Sequence, residues 1–302
     1  MDQGQPGAGR TDEPVIDESA RVLPAPALRP FIAYYAGYRQ AGVAPSQHRG
    51  LPSPFLTVIF TLDDPLHLAG HPDPRQPPGD YRTLVGGLHT APALITHEGY
   101  QSGIQLALSP LGARALLGLP AGELALVDVE GPAVLGPVAD EISERLQAER
   151  DWPGRFAVLD RMLTRLLVAG PSVAGGVSAE VGHSWQRLLA ARGGCGVAEL
   201  AAETGWSDRH LRARFREETG LSPKAAARVI RFDWARRRLL RRVVSGAPQA
   251  LADLAADCGY YDQAHLARDF RDLAGCPPSV WLAEEFRNVQ ALTRDDVQAL
   301  LA

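Results

Sequence analysis

A few side chains stand out for the chemistry they could do together. Arg209, Arg212 and Arg216 recur at three- and four-residue steps, and His265, Arg268 and Arg271 at steps of three. Those steps bring side chains to one face of a helix. A guanidinium is planar and always charged, and its fork of donors fits a phosphate or the O6/N7 edge of guanine. Two such faces suit the binding of a double-stranded polyanion. They do not suit bond-breaking, which needs a nucleophile, a base and a stabiliser of developing charge.

The histidines of the first half offer a rival chemistry. His48, His67, His71, His89 and His97 all precede residue 100, the last of them beside Glu98. A cupin-like metal site needs His-x-His on one strand, because alternate residues share a strand face, and the sequence has no such pair. His89 and His97, eight apart, would meet only in a favourable register. His97 and Glu98 could form a base pair of groups, but no nucleophile or oxyanion motif accompanies them. Gly193-Gly194-x-Gly196 follows no strand, unlike a phosphate-cradling loop. The three cysteines, Cys195, Cys258 and Cys276, are odd in number with no Cys-x-x-Cys, which indicates neither a disulfide framework nor a zinc site. The expectation is a chain with no catalytic residues, metal or cofactor. The alternative is a cupin-like metal-binding or enzymatic first half with ancillary DNA binding.

The elements that must position the arginines form an internal repeat. Leu200-Ala201-x-x-x-Gly205-Trp206, Leu211-x-x-x-Phe215 and Gly220-Leu221-Ser222-Pro223 return as Leu254-Ala255-x-x-x-Gly259-Tyr260, Leu266-x-x-x-Phe270 and Gly275-Cys276-Pro277-Pro278. The offset is 54 positions up to the turn glycine and 55 after it, so the second turn has gained one residue. Each copy predicts a short helix, a turn at glycine and a second helix, with alanine for a close crossing and glycine for the positive φ that ends the first helix. Leu and Phe four apart give the second helix an inward stripe and leave the arginines outward.

Charge divides along the same line. The net charge is −4, yet residues 182–290 hold 17 basic and 13 acidic side chains, leaving 14 basic and 22 acidic elsewhere. The repeat half is therefore positive and the remainder negative. No apolar run approaches the ~20 residues that cross a membrane. Residues 1–20 read as a disordered tail without a signal core, and the chain as cytoplasmic and without a membrane partner.

Along the chain, the prolines at 24, 26 and 30 lead into Phe31–Tyr35, read as a short helix or an extended lead-in. Phe55–Leu62 is the clearest strand, with Leu66–Ala69 its expected hairpin partner; Thr83–Leu88, Ala93–Thr96 and Ser102–Leu108 alternate as further strands. Pro110 opens a short helix to Leu117, and Val134–Arg150 and Arg155–Val168 have helical spacing. The fold expected is α+β: a small N-terminal β-sheet or barrel with two following helices (21–169), a Gly/Pro/Ser linker (170–182), an all-α domain with two helix-turn-helix motifs joined by a linker helix (183–287), and a C-terminal tail (288–302). The linker helix, from Pro223 to about Arg242, is 18 or so residues and roughly 27 Å long. It would set the two second helices about one turn of B-DNA apart, ~34 Å. Its own arginines, Arg228, Arg231, Arg236, Arg237, Arg238, Arg241 and Arg242, are expected in part near the phosphate backbone.

Residues His183 to Phe286 resemble the DNA-binding domain of AraC/XylS-type transcription regulators. The likeness rests on Glu199 to Leu211, on Phe215 to Pro223, on Gly259 to Phe270 and on Pro278-Ser-Val-Trp281. It implies a seven-helix unit that places two recognition helices in successive major grooves, with double-stranded DNA as partner. By position, the resemblance puts Arg209, Arg212 and Ala213 on base edges in the first motif and Ala264, His265 and Arg268 in the second, with Gln263 also counted among the DNA-binding residues. It makes Ser207 a cap whose oxygen accepts a backbone N–H, and puts Arg216 and Arg271 on phosphates. Gln105 to Pro120 with Glu123-Leu124 resembles the N-terminal domain of a subgroup of these regulators. That implies a half that senses a small-molecule effector or dimerises. RNA polymerase and a second copy of the chain are further partners the family admits, as activator or repressor.

Overall fold

A computed structural model describes residues 15–169, 176–246 and 250–289. The strands are β1 (Ile16–Val22), β2 (Ile32–Ala41), β3 (Ser46–Gly50), β4 (Leu56–Thr61), β5 (Leu66–Gly70), β6 (Gly79–Tyr81), β7 (Thr83–Gly86), β8 (Ala93–His97), β9 (Gln101–Leu108) and β10 (Asp128–Glu130). The helices are α1 (Ala113–Leu117), α2 (Pro132–Leu135), α3 (Val138–Ala148), α4 (Trp152–Ala169), α5 (Ala179–Ala190), α6 (Val197–Thr204), α7 (Asp208–Thr219), α8 (Pro223–Val244), α9 (Leu251–Asp257), α10 (Gln263–Ala274) and α11 (Pro278–Val289). The α+β class and its order, strands then helices, are as the sequence predicts.

The strands form two antiparallel sheets: a six-stranded one in the order β1-β2-β9-β4-β7-β10 and a four-stranded one in the order β3-β8-β5-β6. Strand β4 shows why they stack. Its Leu56, Val58 and Phe60 belong to the main core, together with Phe156, Leu159 and Leu163 of α4. Its Ile59 points the other way, into a second cluster with Leu66, Leu68, Tyr81, Leu84, Ala93 and Ile95. Period-two alternation thus gives the large sheet one face for helices and one for the small sheet.

Several boundaries differ from the sequence reading. Leu66–Gly70 is a strand but not the hairpin partner of β4: β4 pairs with β7 and β9, and β5 with β6 and β8. The turn at Asp63-Asp64-Pro65 carries the chain from one sheet to the other. Of the two readings offered for Phe31–Tyr35, the extended one holds: Ile32 opens β2. Residues 15–20 are not tail, because β1 pairs with β2 from Ile16↔Ala41 onward. Residues 179–182 belong to α5 rather than the linker, since the Ser178 side chain accepts from Val181 N–H and starts the helix there. Helix α11 runs to Val289, two residues into the expected tail, while residues 1–14, 170–175 and 290–302, together with Pro248, lie outside the described residues.

Helices α5 to α11 make the seven-helix unit. Ser222 caps α8 at Ala225 N–H and Pro223 occupies its first turn, so the rod runs 22 residues. At 1.5 Å per residue that is about 33 Å. The main core runs unbroken from the sheet through α4 into the seven helices, joining Leu124 and Leu159 to Phe215 and Phe270. The halves also meet in polar contacts. Arg114 holds Glu218 of α7 through two bonds of 2.8 Å. Arg49 of β3 holds Glu284 of α11 at 2.8 and 3.2 Å. Gly122 lets the 3-10 turn Ala121–Leu124 touch α7, where an added Cβ would sit 2.1 Å from the Glu217 carbonyl oxygen.

Candidate nucleic-acid interface

The repeat is visible bond by bond. In the first copy α6 ends at Gly205 with φ +70°, and Trp206 N–H reaches back to the Ala201 carbonyl at 3.1 Å. In the second, Gly259 has φ +72° and Tyr260 N–H reaches the Ala255 carbonyl at 2.9 Å. The space where a Cβ would stand at Gly205 and Gly259 is open, so the left-handed backbone alone calls for glycine there. Leu211, Phe215, Leu266 and Phe270 are fully buried, the inward stripe that turns the opposite faces of α7 and α10 to solvent.

The helix starts differ. Ser207 caps α7, its oxygen accepting from His210 N–H at 3.3 Å. The cap of α10 is Asp262, which accepts from His265 N–H at 2.7 Å. Sequence reasoning passed over Asp262. An Asp immediately before a helix-spaced run is a cap signal, but the extra residue in the second turn moved it one place from its counterpart.

Of the ten positions singled out in the sequence, Ser207, Arg209, Arg212, Ala213, Arg216, Gln263, Ala264, Arg268 and Arg271 are exposed. His265 is the exception. It is half-buried, with its ring edge-on to Tyr260 at 5.1 Å, as His210 meets Trp206 at 4.5 Å. Both histidines support the turn of their own motif.

Ion pairing divides the basic residues into two sets. On α8, Arg228 binds Asp269 and Asp272, and Arg231 lies near Asp269 with its guanidinium over Tyr260. Arg236 and Arg237 hold Asp233, Arg238 and Arg242 hold Asp257, and Arg241 stacks over Trp234. In the DNA-free chain the α8 arginines expected in part near phosphates are thus held by internal partners. Arg228 and Arg231 tie the rod to α10 and Arg238 and Arg242 tie it to α9, while Arg236, Arg237 and Arg241 meet partners on α8 itself. Among the described residues, Arg209, Arg216, Arg268 and Arg271 pair with no carboxylate, and Arg212 has only a 3.7 Å approach to Asp208. The outer faces of α7 and α10 thus each carry arginines with no carboxylate partner among the described residues.

Residues 200–284 match the family described as a helix-turn-helix domain. This is an AraC-type helix-turn-helix domain. Residues 20–130 match a domain of unknown function (DUF6597). No curated protein matches the chain. Among solved structures, the chain is similar to ToxT from Vibrio cholerae at 1.65 Å, with 10% identity over 83% of this chain and 97% of that one and a TM-score of 0.46. It is also similar to ToxT from Vibrio cholerae bound to an unsaturated fatty acid, with 9% identity over 80% and 91% of the two chains and a TM-score of 0.47. The AraC-type domain gives the two exposed helices their role: they are the recognition helices of a DNA-binding unit.

The sheets enclose a second feature, a cavity of about 400 Å³. Ile59, Leu68 and Ile95 form an apolar wall and Gln40, Gln101 and His48 a polar one, while Arg236 and Arg237 of α8 and Glu285 of α11 close it from the AraC-type domain. Burial, then the neighbouring His97, pushes the His48 imidazole down to about 4. Burial also raises the Glu285 carboxyl. His48 and His97 lie with ring centroids 6.3 Å apart, and the histidines otherwise have separate partners. His89 bonds the Ala91 carbonyl, His97 bonds Ser46, and His71 pairs with buried Asp128. Among the described residues no group of three or more His, Cys, Asp or Glu is placed to hold a metal ion.

Proposed function

We propose that the chain is a sequence-specific transcription regulator whose two recognition helices enter successive major grooves of DNA and whose cavity takes a small effector. The observation that carries the DNA reading is the division of charge. Every α8 arginine has an internal partner, while Arg209 and Arg216 of α7 and Arg268 and Arg271 of α10 pair with no carboxylate among the described residues; Arg214 of α7 holds Glu217. Arg209, Arg212, Ala213, Gln263, Ala264 and Arg268 meet base edges, and Arg216 and Arg271 meet phosphates, which position without specifying. His265 acts through the turn it supports. A rod of about 33 Å matches the spacing of grooves on one face of the duplex. The test is a gel shift of the full chain on duplexes from upstream of its own gene. Log affinity should fall linearly with log salt. Binding indifferent to salt would remove the proposal.

The effector reading rests on the walls of the cavity, which come from both halves. A molecule that fills it touches the sheets, the rod between the two motifs and α11 together. Its size fits a compact metabolite, since ligand pockets typically span roughly 300–1,000 Å³. Thermal shift of the full chain against a metabolite panel tests it, because a ligand that prefers the folded state raises the melting temperature. A hit should lose its effect in Gln101→Leu if it lies in this cavity. Action in the cytoplasm, with a second copy of the chain and RNA polymerase as partners, belongs to the same reading.

A further inference from the structure

The two motifs differ in length by one residue, and that residue is Tyr261. In the first copy the aromatic after the glycine, Trp206, is followed at once by the cap, Ser207. In the second, Tyr260 is followed by Tyr261 and only then by the cap, Asp262. The flanking residues keep their duties: Tyr260 packs on His265 as Trp206 packs on His210, and Asp262 caps as Ser207 does. The additional side chain is not folded back into the protein. Tyr261 is 94% exposed, more than any other large hydrophobic side chain among the described residues. Its backbone N–H points to His265 Nδ1 at a long 3.5 Å, which fixes the residue at the mouth of α10.

The first turns of the recognition helices also differ in charge. Arg209 of α7 corresponds to Ala264 of α10, 55 positions on, so the exposed first turn of α10 has no arginine. The second motif therefore lacks a cation at the end of the helix that enters the groove. A large amphipathic side chain with a donor stands beside that gap.

We propose that Tyr261 supplies the missing contact at the start of α10, its hydroxyl donating to a DNA phosphate oxygen beside the groove that Gln263 and Ala264 enter. This rests on the DNA-binding reading above. The assignment to a phosphate follows from position. Tyr261 precedes the cap, on the segment arriving from α9, and in a helix-turn-helix the first helix crosses the backbone while the first residues of the recognition helix meet base edges. Hydroxyl donors of tyrosine are ordinary partners of phosphate oxygens, and such contacts set register without reading sequence.

The experiment compares the full chain with Tyr261→Phe and Tyr261→Ala on duplexes that the unaltered chain enriches from a randomised pool. Fluorescence anisotropy is read across a salt series. Loss of one hydrogen bond to a charged phosphate oxygen should weaken Tyr261→Phe roughly ten- to a hundredfold. The salt slope should stay the same, since no cation and no released counterion is lost. The bases enriched by the variant should be those enriched by the original, and the melting temperature should not move for so exposed a side chain. Unchanged affinity in both variants would overturn the inference, and so would a variant that alters preference at one base pair, which would make Tyr261 a base reader. If the unaltered chain itself binds no duplex in a salt-dependent way, it is the DNA reading that fails. If it binds and both variants bind equally well, only the role of Tyr261 fails.

Discussion

The division of the arginines predicts a selective change in salt dependence. Arg216 and Arg271 occupy matching places 55 positions apart, both exposed and both without a carboxylate partner among the described residues. If each neutralises one phosphate, each contributes about 0.9 to the slope of log affinity against log salt. The double variant Arg216→Ala/Arg271→Ala should then have a slope shallower by about 1.8. Over a fourfold rise in salt, from about 50 to 200 mM, that difference is roughly twelvefold in the ratio of affinities. Arg238→Ala and Arg242→Ala are the comparison. Both guanidiniums are 2.7 Å from Asp257, so each removes a charge from the domain without removing one from DNA. Their slopes should match that of the unaltered chain. Anisotropy titrations on one enriched duplex measure all four proteins, with circular dichroism melts to show that each is folded. A slope shallower by about 0.9 in Arg238→Ala or Arg242→Ala, the change expected for one phosphate-bound arginine, would refute the inference that internal pairing withdraws the rod's arginines from the phosphates.

Other perturbations follow from the same geometry. Arg268→Ala should relax preference at one base pair, by about 1–3 kcal/mol of discrimination, while leaving neighbouring positions as they were; re-enrichment from a randomised pool shows which. Gly205→Ala has room for the methyl group but must hold φ +70°, so it should cost about 1 kcal/mol in a denaturant melt; no loss would mean the turn can relax. Arg114→Ala leaves Glu218, nearly inaccessible with its side chain 3% exposed, without its bidentate partner, a loss of about 1.5–3 kcal/mol; Arg114→Lys should recover only part of it. His48 has its pKa lowered from 6.5 to about 4, so the folded chain takes up this proton less readily than the unfolded chain. Its contribution is fully present above pH 6.5 and is lost as the pH falls towards 4. Denaturant melts of His48→Gln against pH should lack that component.

The AraC-type half was legible because its signals are local. A glycine that must take a positive φ, a cap, and Leu and Phe four residues apart all fall within one copy of the repeat, and the second copy repeats them. The first half was less legible because pairing between strands is not local. The run Leu66–Gly70 shows that a strand exists, but the sheet it joins depends on residues 79–81 and 93–97. Phe31–Tyr35 is apolar on both sides of the chain because β2 is covered on both faces, which removes the alternation that marks a strand. At the interface, exposure of the arginines was readable from helical periodicity. The pairing of the α8 arginines was not, because Asp257, Asp269 and Asp272 arrive from other helices 15 to 44 residues away.

The first half is fastened to both reading motifs, to one through Arg114 and Glu218 and to the other through Arg49 and Glu284. The cavity lies between those two anchors. Thermodynamic reciprocity then applies to its occupant: whatever factor a bound metabolite imposes on operator affinity, the operator must impose on the metabolite. Under the proposed function, if that factor differs from one, a copy of this chain held on its operator would respond to the effector at a different concentration from a free copy, with no change in the amount of either molecule.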